Sequence, residues 1–539
     1  MSRRDSSTSS FNVSERRRRR RATLLLAAGC LSGLCLAGPP DVLVVAQSLD
    51  DITSLDPAEG YELSSMQAFT SLYQRLVQPD PDHPASMTGA GLAKGWQAEP
   101  GSLAFELRPD AVFANGHAVR PEDVIWSLSR AVKLNLSPSF ILNGLGWTAA
   151  TVEQHLKKID ERHVRVTWSA PVGPAFALSV LGATVASIID ERETGSHAES
   201  GDLGNRWLHD HSAGSGPFKI RKYIPHEALV LDANPLSPGD APRLKTIVIR
   251  SVPDASTREL LVRVGDADIA RDLGPDQYAA LRDRPGLQLR QFPSAAVHYL
   301  LFNTANTDRP ELANPSLWQA ARWLIDYQGI AHGLLKDQFQ VHQSFLATGF
   351  RGALDDTPYR LDVSRARSIL QAAGLDKGLT LTLDVFNQAP FTEIAQSLQA
   401  TFAAAGIRLE IRPALAGTVY GRVRSHSVQA VWLYWIPDYF DAHSSASAFA
   451  LNLHDGSTSI AERAGWSIPQ LSDLTLRAVR EPDAGRRLEL YRFIQTQVQQ
   501  RSPIVIALQE RSQVIMRANV RGYRQGLNAD MVYYDRVTK

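Results

Sequence analysis

The chain has 539 residues, of which 44% are hydrophobic, 21% charged and 8% aromatic, with a formal net charge of +1. That length supports more than one hydrophobic core, since single cores stop growing near roughly 250 to 300 residues. The composition excludes a disordered or repeat chain, and two cysteines in so long a sequence exclude a disulfide-built scaffold.

At the amino terminus a Ser-rich polar stretch leads into six arginines at 16–21 and then the apolar run ATLLLAAGCLSGLCLA. This is the layout of an export signal removed after Ala37. The apolar stretch of about 16 residues ends in small side chains, whereas a mature membrane span needs about 20. The same residues leave open a retained anchor, lipoprotein processing at Ala28-Gly29-Cys30, and a twin-arginine route. Against the second, Ala27 stands where such sites usually carry leucine; against the third, the aromatic expected after the arginine pair is missing. Both cysteines, Cys30 and Cys35, lie inside the leader, so the mature chain has none, which suits an oxidising compartment. Losing residues 1–37 removes eight arginines and two acids and leaves 49 basic against 54 acidic residues. A mildly acidic balance argues against nucleic acid as a partner, since neutralising phosphates requires a basic face.

DVLVVAQ, residues 41–47, is a short apolar run after Pro-Pro and predicts a buried strand opening the mature fold. Met66, Phe69, Leu72, Tyr73 and Leu76 recur at helical spacing and predict a helix over 64–77. In AFELRPDAVFANGHAVRPEDVIWSLSRAV a strand meets the Asn115-Gly116 turn. A helix then starts with Pro121, Glu122 and Asp123, whose proline and acids suit the partial positive charge of a helix start. DERHVRVTW at 160–168 alternates as a half-buried strand, and GSGPFKI and ALVLDANP supply two more. ELLVRVGDADIARDL reads as helix, a turn at Gly265, then strand, with Asp266 and Asp268 solvated beside the turn. LQLRQFPSAAVHYLLFN is a long extended stretch broken at Pro293. After helical sequence from Leu317 come the strand LTLTLDVFN at 379–387, a helix over 393–405 and the strand RLEIRPA, the unit of a parallel sheet. A helix over 484–500 and the apolar strand PIVIAL follow.

These residues resemble the family 5 extracellular solute-binding proteins, the peptide and nickel receptors of bacterial uptake systems, over about residues 41–530. The strongest match is LRPDAVFANGHAVRPEDVIWSLSRA. SLDPA at 54–58, GSGPF at 214–218, VGDADIA at 264–270, LLFNT at 300–304 and NVRGY at 519–523 support it in order and spacing. One departure is Trp318, which stands where the family usually has an arginine before Gln-Ala. The resemblance implies an α/β, two-lobed periplasmic-binding-protein-like fold of type II, large cluster, with an extra inserted subdomain. Lobe I would comprise 38–62, 176–292 and 504–539, the inserted subdomain 63–175, and lobe II 293–503. Two crossings, near 291–298 and 503–509, would form a hinge, so that a ligand touching both lobes favours closure.

In VWLYWIPDYFDAH, at 431–443, an isolated carboxylate follows a strand and three large aromatics. The resemblance implies that Asp438 meets the α-ammonium of a peptide, and a buried ammonium does need such a partner. Asp441 is instead expected to cap a turn. Trp432, Tyr434, Trp435 and Ile436 are candidate pocket walls, with one face of the strand packed inward and the other toward the cleft. Across from them, Tyr61, Glu62 and Leu63 align with the segment whose backbone pairs with an extended peptide.

The expected function is the periplasmic substrate-binding subunit of an ABC importer, monomeric, passing short peptides to a membrane permease. It needs no cofactor, binds no nucleic acid, and in the lipoprotein case is anchored at Cys30. A nickel or metal-chelate ligand remains the alternative, with His209, Asp210 and His211 the only tight cluster. A sensor or chaperone role on the same fold remains another. No Gly-x-Ser-x-Gly elbow, His-Glu-x-x-His helix or phosphate loop is present, so the chain is not expected to be an enzyme.

Overall fold

The computed structural model describes residues 39–80, 83–87, 91–239, 241–454 and 459–539. The expected leader, with its arginines, Cys30 and the cut after Ala37, lies outside the described residues. No helix among the described residues is long and apolar enough to cross a membrane.

A large mixed sheet of 11 strands among the described residues forms the spine. The Val42–Gln47 strand pairs in parallel with Thr246–Ser251 and Ile269–Arg271. At the other end Thr380–Phe386 lies parallel to Arg408–Ala414, the two joined by the Phe391–Ala404 helix as the alternating pattern predicts. The two halves meet where Leu287–Phe302 runs antiparallel to Ile504–Arg517. Pro293 does not break this stretch into two strands. Pro293 pairs with Arg511 and the register slips between it and Val297, so the strand runs on past the proline through a bulge. A separate four-stranded sheet holds Ala93–Glu99, Ser102–Leu107, His163–Thr167 and Leu156–Lys158.

Among the described residues the three largest hydrophobic cores follow this layout. One gathers residues of 295–508 with Leu527, another residues of 58–188 with Tyr439 and Val479, and the third joins 43–73 and 189–269 to 514–537. The Pro121–Leu134 helix of the second core begins as its sequence predicts. Pro121 needs no N–H partner, and the Asp123 carboxylate accepts from the Arg120 amide at 2.8 Å. The Phe113 amide donates to the His117 carbonyl at 2.8 Å around the Asn115-Gly116 turn, where Gly116 has φ 92°.

Two expectations are corrected. The first helix spans Leu63–Leu72 and stops at Tyr73, which is extended at φ −128°, ψ 151°, so it does not reach Val77. Its last turn is pinned by GSGPF: the Gly216 amide donates to Leu72 O at 3.0 Å, and a Cβ on Gly214 would sit 2.1 Å from that same oxygen. The apolar periodicity continues past the helix because Tyr73, Leu76 and Val77 are buried beyond its end instead. Asp268 is also not solvated. It is 8% exposed, accepts from the Val44 amide at 2.8 Å and from Lys539 Nζ at 2.8 Å, and so ties the first strand to the last residue.

Candidate ligand-binding cavity

The Ala430–Trp435 strand lies between Leu287–Phe302 and Thr380–Phe386. With neighbours on both edges and packing on both faces, residues 430–433 are at most 1% exposed. Trp432 is thus core, with no exposed surface, where strand alternation alone would turn it toward a cleft. Trp435 packs edge-on to Phe449, with ring centroids 6.3 Å apart. Only from Tyr434 does the strand emerge, and it leads into the turn that carries Asp438.

The Asp438 amide donates to Ser444 Oγ at 2.8 Å, and Asn528 Nδ2 donates to the Pro437 carbonyl at 3.4 Å. Three residues on, Asp441 caps the Ala442–Ala450 helix through the His443 amide at 2.7 Å. It also accepts two bonds from Arg487, at 3.0 and 2.7 Å. Two aspartates of one loop therefore have opposite surroundings. Asp441 is consumed by structure, whereas Asp438 faces a cavity of about 710 Å³.

That cavity has walls from distant parts of the chain. Tyr61, Glu62, Leu63 and Met66 form one side, with 182–184 and 528–531 beside them. Opposite stand Tyr420, Arg424, Tyr434, Arg463 and the 436–440 turn. Of the residues singled out from sequence, Asp438, Tyr434, Ile436, Tyr61, Glu62 and Leu63 line the space; Trp432 and Trp435 do not. Glu62 is the N-cap residue of the Leu63–Leu72 helix, and its own carboxylate accepts from the Tyr61 amide at 3.1 Å. The remaining wall residues were not evident from sequence. Segments 182–184 and 528–531 carry no local pattern, and Arg75 brings them together: its Nη1 donates to Gly182 O at 2.6 Å and lies 3.4 Å from the Asp530 carboxylate.

Trp318 is 7% exposed and its indole N–H donates to Leu312 O at 2.8 Å, so it packs in the core away from the cavity. The histidine cluster turns apart: His209 Nε2 sits 2.7 Å from the Glu59 carboxylate, while His211 Nδ1 sits 2.6 Å from Asp210. Among the described residues no group of three or more metal-donor side chains gathers, and the cavity lining holds no histidine or cysteine.

The electrostatics of the cavity are uneven. The Tyr61 hydroxyl donates to Asp438 Oδ1, and among the described residues no cation reaches ion-pair distance of this carboxylate. Burial pushes the Asp438 carboxyl up to about 6, with the Tyr61 bond and the charge of Arg463 pulling the other way. Burial and the adjacent Asp438 charge raise the Tyr61 hydroxyl far above its usual range. On the facing wall burial lowers Arg463, opposed by Tyr299 and reinforced by the like charge of Arg424. A cavity with an acid bonded to one hydroxyl at one place and guanidiniums at another suits a polar organic molecule with charges of its own.

The family profile of bacterial extracellular solute-binding proteins, family 5 (middle region), matches residues 89–457. A probable D,D-dipeptide-binding periplasmic protein of Escherichia coli K12 is 28% identical over 494 residues, covering 90% of this chain and 92% of its own. Among solved structures, a periplasmic binding protein of Helicobacter pylori in complex with a peptide superposes with a TM-score of 0.75 at 22% identity. It covers 92% of this chain and 98% of its own. A Campylobacter jejuni protein in complex with Ni(L-His) gives a TM-score of 0.76 at 18% identity, over 93% of this chain and all of its own. At these identities the structural likeness is one of fold, and it is the two-lobed fold of periplasmic binding proteins.

Proposed function

The chain belongs to the family 5 bacterial extracellular solute-binding proteins, and from that premise we propose that it is the periplasmic receptor subunit of an ABC importer for short peptides. It binds and releases without chemistry, as a monomer, and presents its load to membrane permease subunits. Its leader is cut after Ala37, or at Cys30 if the chain is lipid-anchored; the mass of the mature chain distinguishes the two.

One observation carries the peptide reading. Asp438 is a largely buried carboxylate facing a cavity with a hydroxyl as its sole side-chain partner among the described residues. An α-ammonium placed there would turn an expensive buried charge into a charge-assisted pair. The curated relative with D,D-dipeptide in its name supports the same ligand class. A nickel chelate is supported by the fold of one neighbour, but the lining offers a metal no histidine among the described residues. Two lobes with a hinge at the register slip near Pro293 and an inserted subdomain are supported by these cores, while at the subdomain's edges residues 68–73 pack with the lobe I core and 176–188 with the 58–188 core. Lobe I would then hold 38–62, 176–292 and 504–539, the subdomain 63–175, and lobe II 293–503.

Calorimetry with dipeptides to pentapeptides tests the reading. Free-amino peptides should bind and their N-acetyl forms should not; equal binding of the two would remove Asp438 from the ligand contact. Scattering profiles should contract on binding, and unchanged radii would count against hinge closure.

A further inference from the structure

The 58–188 core and the 295–508 core also meet at a place that does not belong to the ligand cavity. Gly173 caps the start of the Pro174–Leu181 helix, and its amide donates to Val479 O at 3.0 Å. Val479 lies in the last turn of the Pro469–Arg480 helix, where carbonyls lack partners within the helix itself. The bond thus joins the negative end of one helix dipole to the positive end of another. Phe176, in the first turn of the Pro174–Leu181 helix, stands edge-on to Tyr439 and His443, with ring centroids 5.5 and 5.6 Å away. Ala478 belongs to the 295–508 core, yet its neighbour Val479 leaves that core and, with Tyr439, is buried in the 58–188 core.

Each side of this contact is braced from within. The Trp168 indole donates to Val172 O at 2.9 Å, and Arg487, paired with Asp441, donates from Nε to Ala478 O at 3.2 Å. The contact is also narrow. Beside it lies a space of about 480 Å³, with Pro174 and Leu178 on one side and Phe350, Phe440 and Leu488 on the other. A contact that leaves such a gap forfeits much of its packing attraction and can open again. Gly173, Phe176 and Val479 do not line the ligand cavity, but the two sides continue into its lining, one through 182–184 and the other through the 436–440 turn. Parting the two lobes therefore breaks the Gly173 bond, and closing them makes it.

We propose that this contact is a clasp: it favours the closed form without help from the cargo, and so sets the affinity for every cargo by the same factor. A receptor whose closed form is only partly populated binds more weakly by that fraction, and a contact that raises the fraction tightens all ligands alike. This rests on the two-lobed fold and the hinge closure proposed above, not on the identity of the ligand. Glycine at 173 leaves room for the clasp. Its backbone, at φ −82° and ψ 163°, is one any residue adopts, but the three atoms nearest an added Cβ are Val479 O, Arg480 O and Arg480 C, at 3.4, 3.7 and 3.9 Å. All three lie across the contact. A methyl fits there in ordinary van der Waals contact, whereas a longer side chain meets the facing helix before anything on its own side.

The test is the distance between spin labels on cysteines introduced at two exposed positions, Lys157→Cys and Glu489→Cys, measured without ligand. It is made in the otherwise wild-type protein and with Gly173→Ala, Gly173→Leu or Val479→Ala added. Wild type and Gly173→Ala should show a short-distance population, Gly173→Leu should lose it, and Val479→Ala should lose part of it. In calorimetry Gly173→Leu should weaken every dipeptide and tripeptide that binds by one common factor, roughly 10- to 100-fold, the worth of a backbone hydrogen bond and a buried valine. A wild type without the short distance overturns the clasp, as does a Gly173→Leu protein that keeps it in full or loses affinity for some peptides and not others. If Gly173→Leu does not fold, an unchanged short-distance population in Val479→Ala overturns it instead. Should no peptide bind, the peptide reading falls, and the label distances still decide the clasp.

Discussion

Two acids of the molecule, Asp56 in the core and Asp438 half-buried against the cavity, are used in opposite ways. Asp56 is fully buried and saturated: Arg130 donates to its two oxygens at 2.9 and 2.5 Å, Asn205 adds a bond at 2.8 Å and the Ala58 amide another at 2.9 Å. Arg130 itself, 1% exposed, gives its Nε to Leu203 O at 2.8 Å. Asp438 has one hydroxyl donor and an open space. A charge whose partners are all internal locks three segments of the fold; a charge left short of partners is a place for something the chain does not contain. SLDPA, matched in the sequence as a family element, is on this view a structural lock and not a ligand loop.

The comparison is broken most severely at Arg130. Arg130→Leu strands the Asp56 carboxylate and should cost about 3 to 5 kcal/mol in denaturant unfolding; a smaller loss would show that Asp56 can find other partners. Asp438→Asn should do the reverse. It should weaken binding of free-amino peptides by roughly 2 to 5 kcal/mol in calorimetry. The same change should leave the unliganded protein as stable as wild type at pH 7, or more so. The sign follows from the raised folded-state value: the folded carboxyl, at about 6 against 3.8 for the ordinary group, holds its proton more tightly than the unfolded one. Its contribution to stability is therefore full below about pH 4 and is lost as pH rises through 6.

Asp441→Asn, in the same loop, should lower stability by about 1.5 to 3 kcal/mol by weakening the Arg487 pair, with the affinity for a dipeptide nearly unchanged. Loss of affinity equal to that of Asp438→Asn would erase the distinction between the two loop acids. The smallest effect is that of pH. Affinity for a free amino terminus should halve near pH 6 and fall about tenfold per unit below it, as Asp438 protonates.

Much of the scaffold was legible because its signals are local. The alternation of 379–387 and 408–414 around an amphipathic helix led to a parallel pair, and Pro121-Glu122-Asp123 marked a helix start that the structure has one residue for one. Local patterns failed where distant packing decides. The periodicity through Leu76 overran the helix because GSGPF, some 140 residues away, presses on its last turn. Trp432 looked like one face of a two-faced strand, but neighbours close over both faces. The turn acid was visible from its setting after the aromatics. The rest of the lining was not, because an arginine at 463 or a backbone at 182–184 acquires meaning only when Arg75 and the strand ladder bring it to the same space as position 61.

The bond from Tyr61 to Asp438 joins side chains 377 positions apart across the cavity wall. On the proposed peptide reading, that phenol sits where the incoming amine would, as an internal mimic of the cargo's positive end. Capture is then an exchange of one donor for another, not the filling of an empty socket. The heat released on loading will reflect only the difference between the two donors, and a solute too weakly charged to outcompete a phenol will find the seat taken.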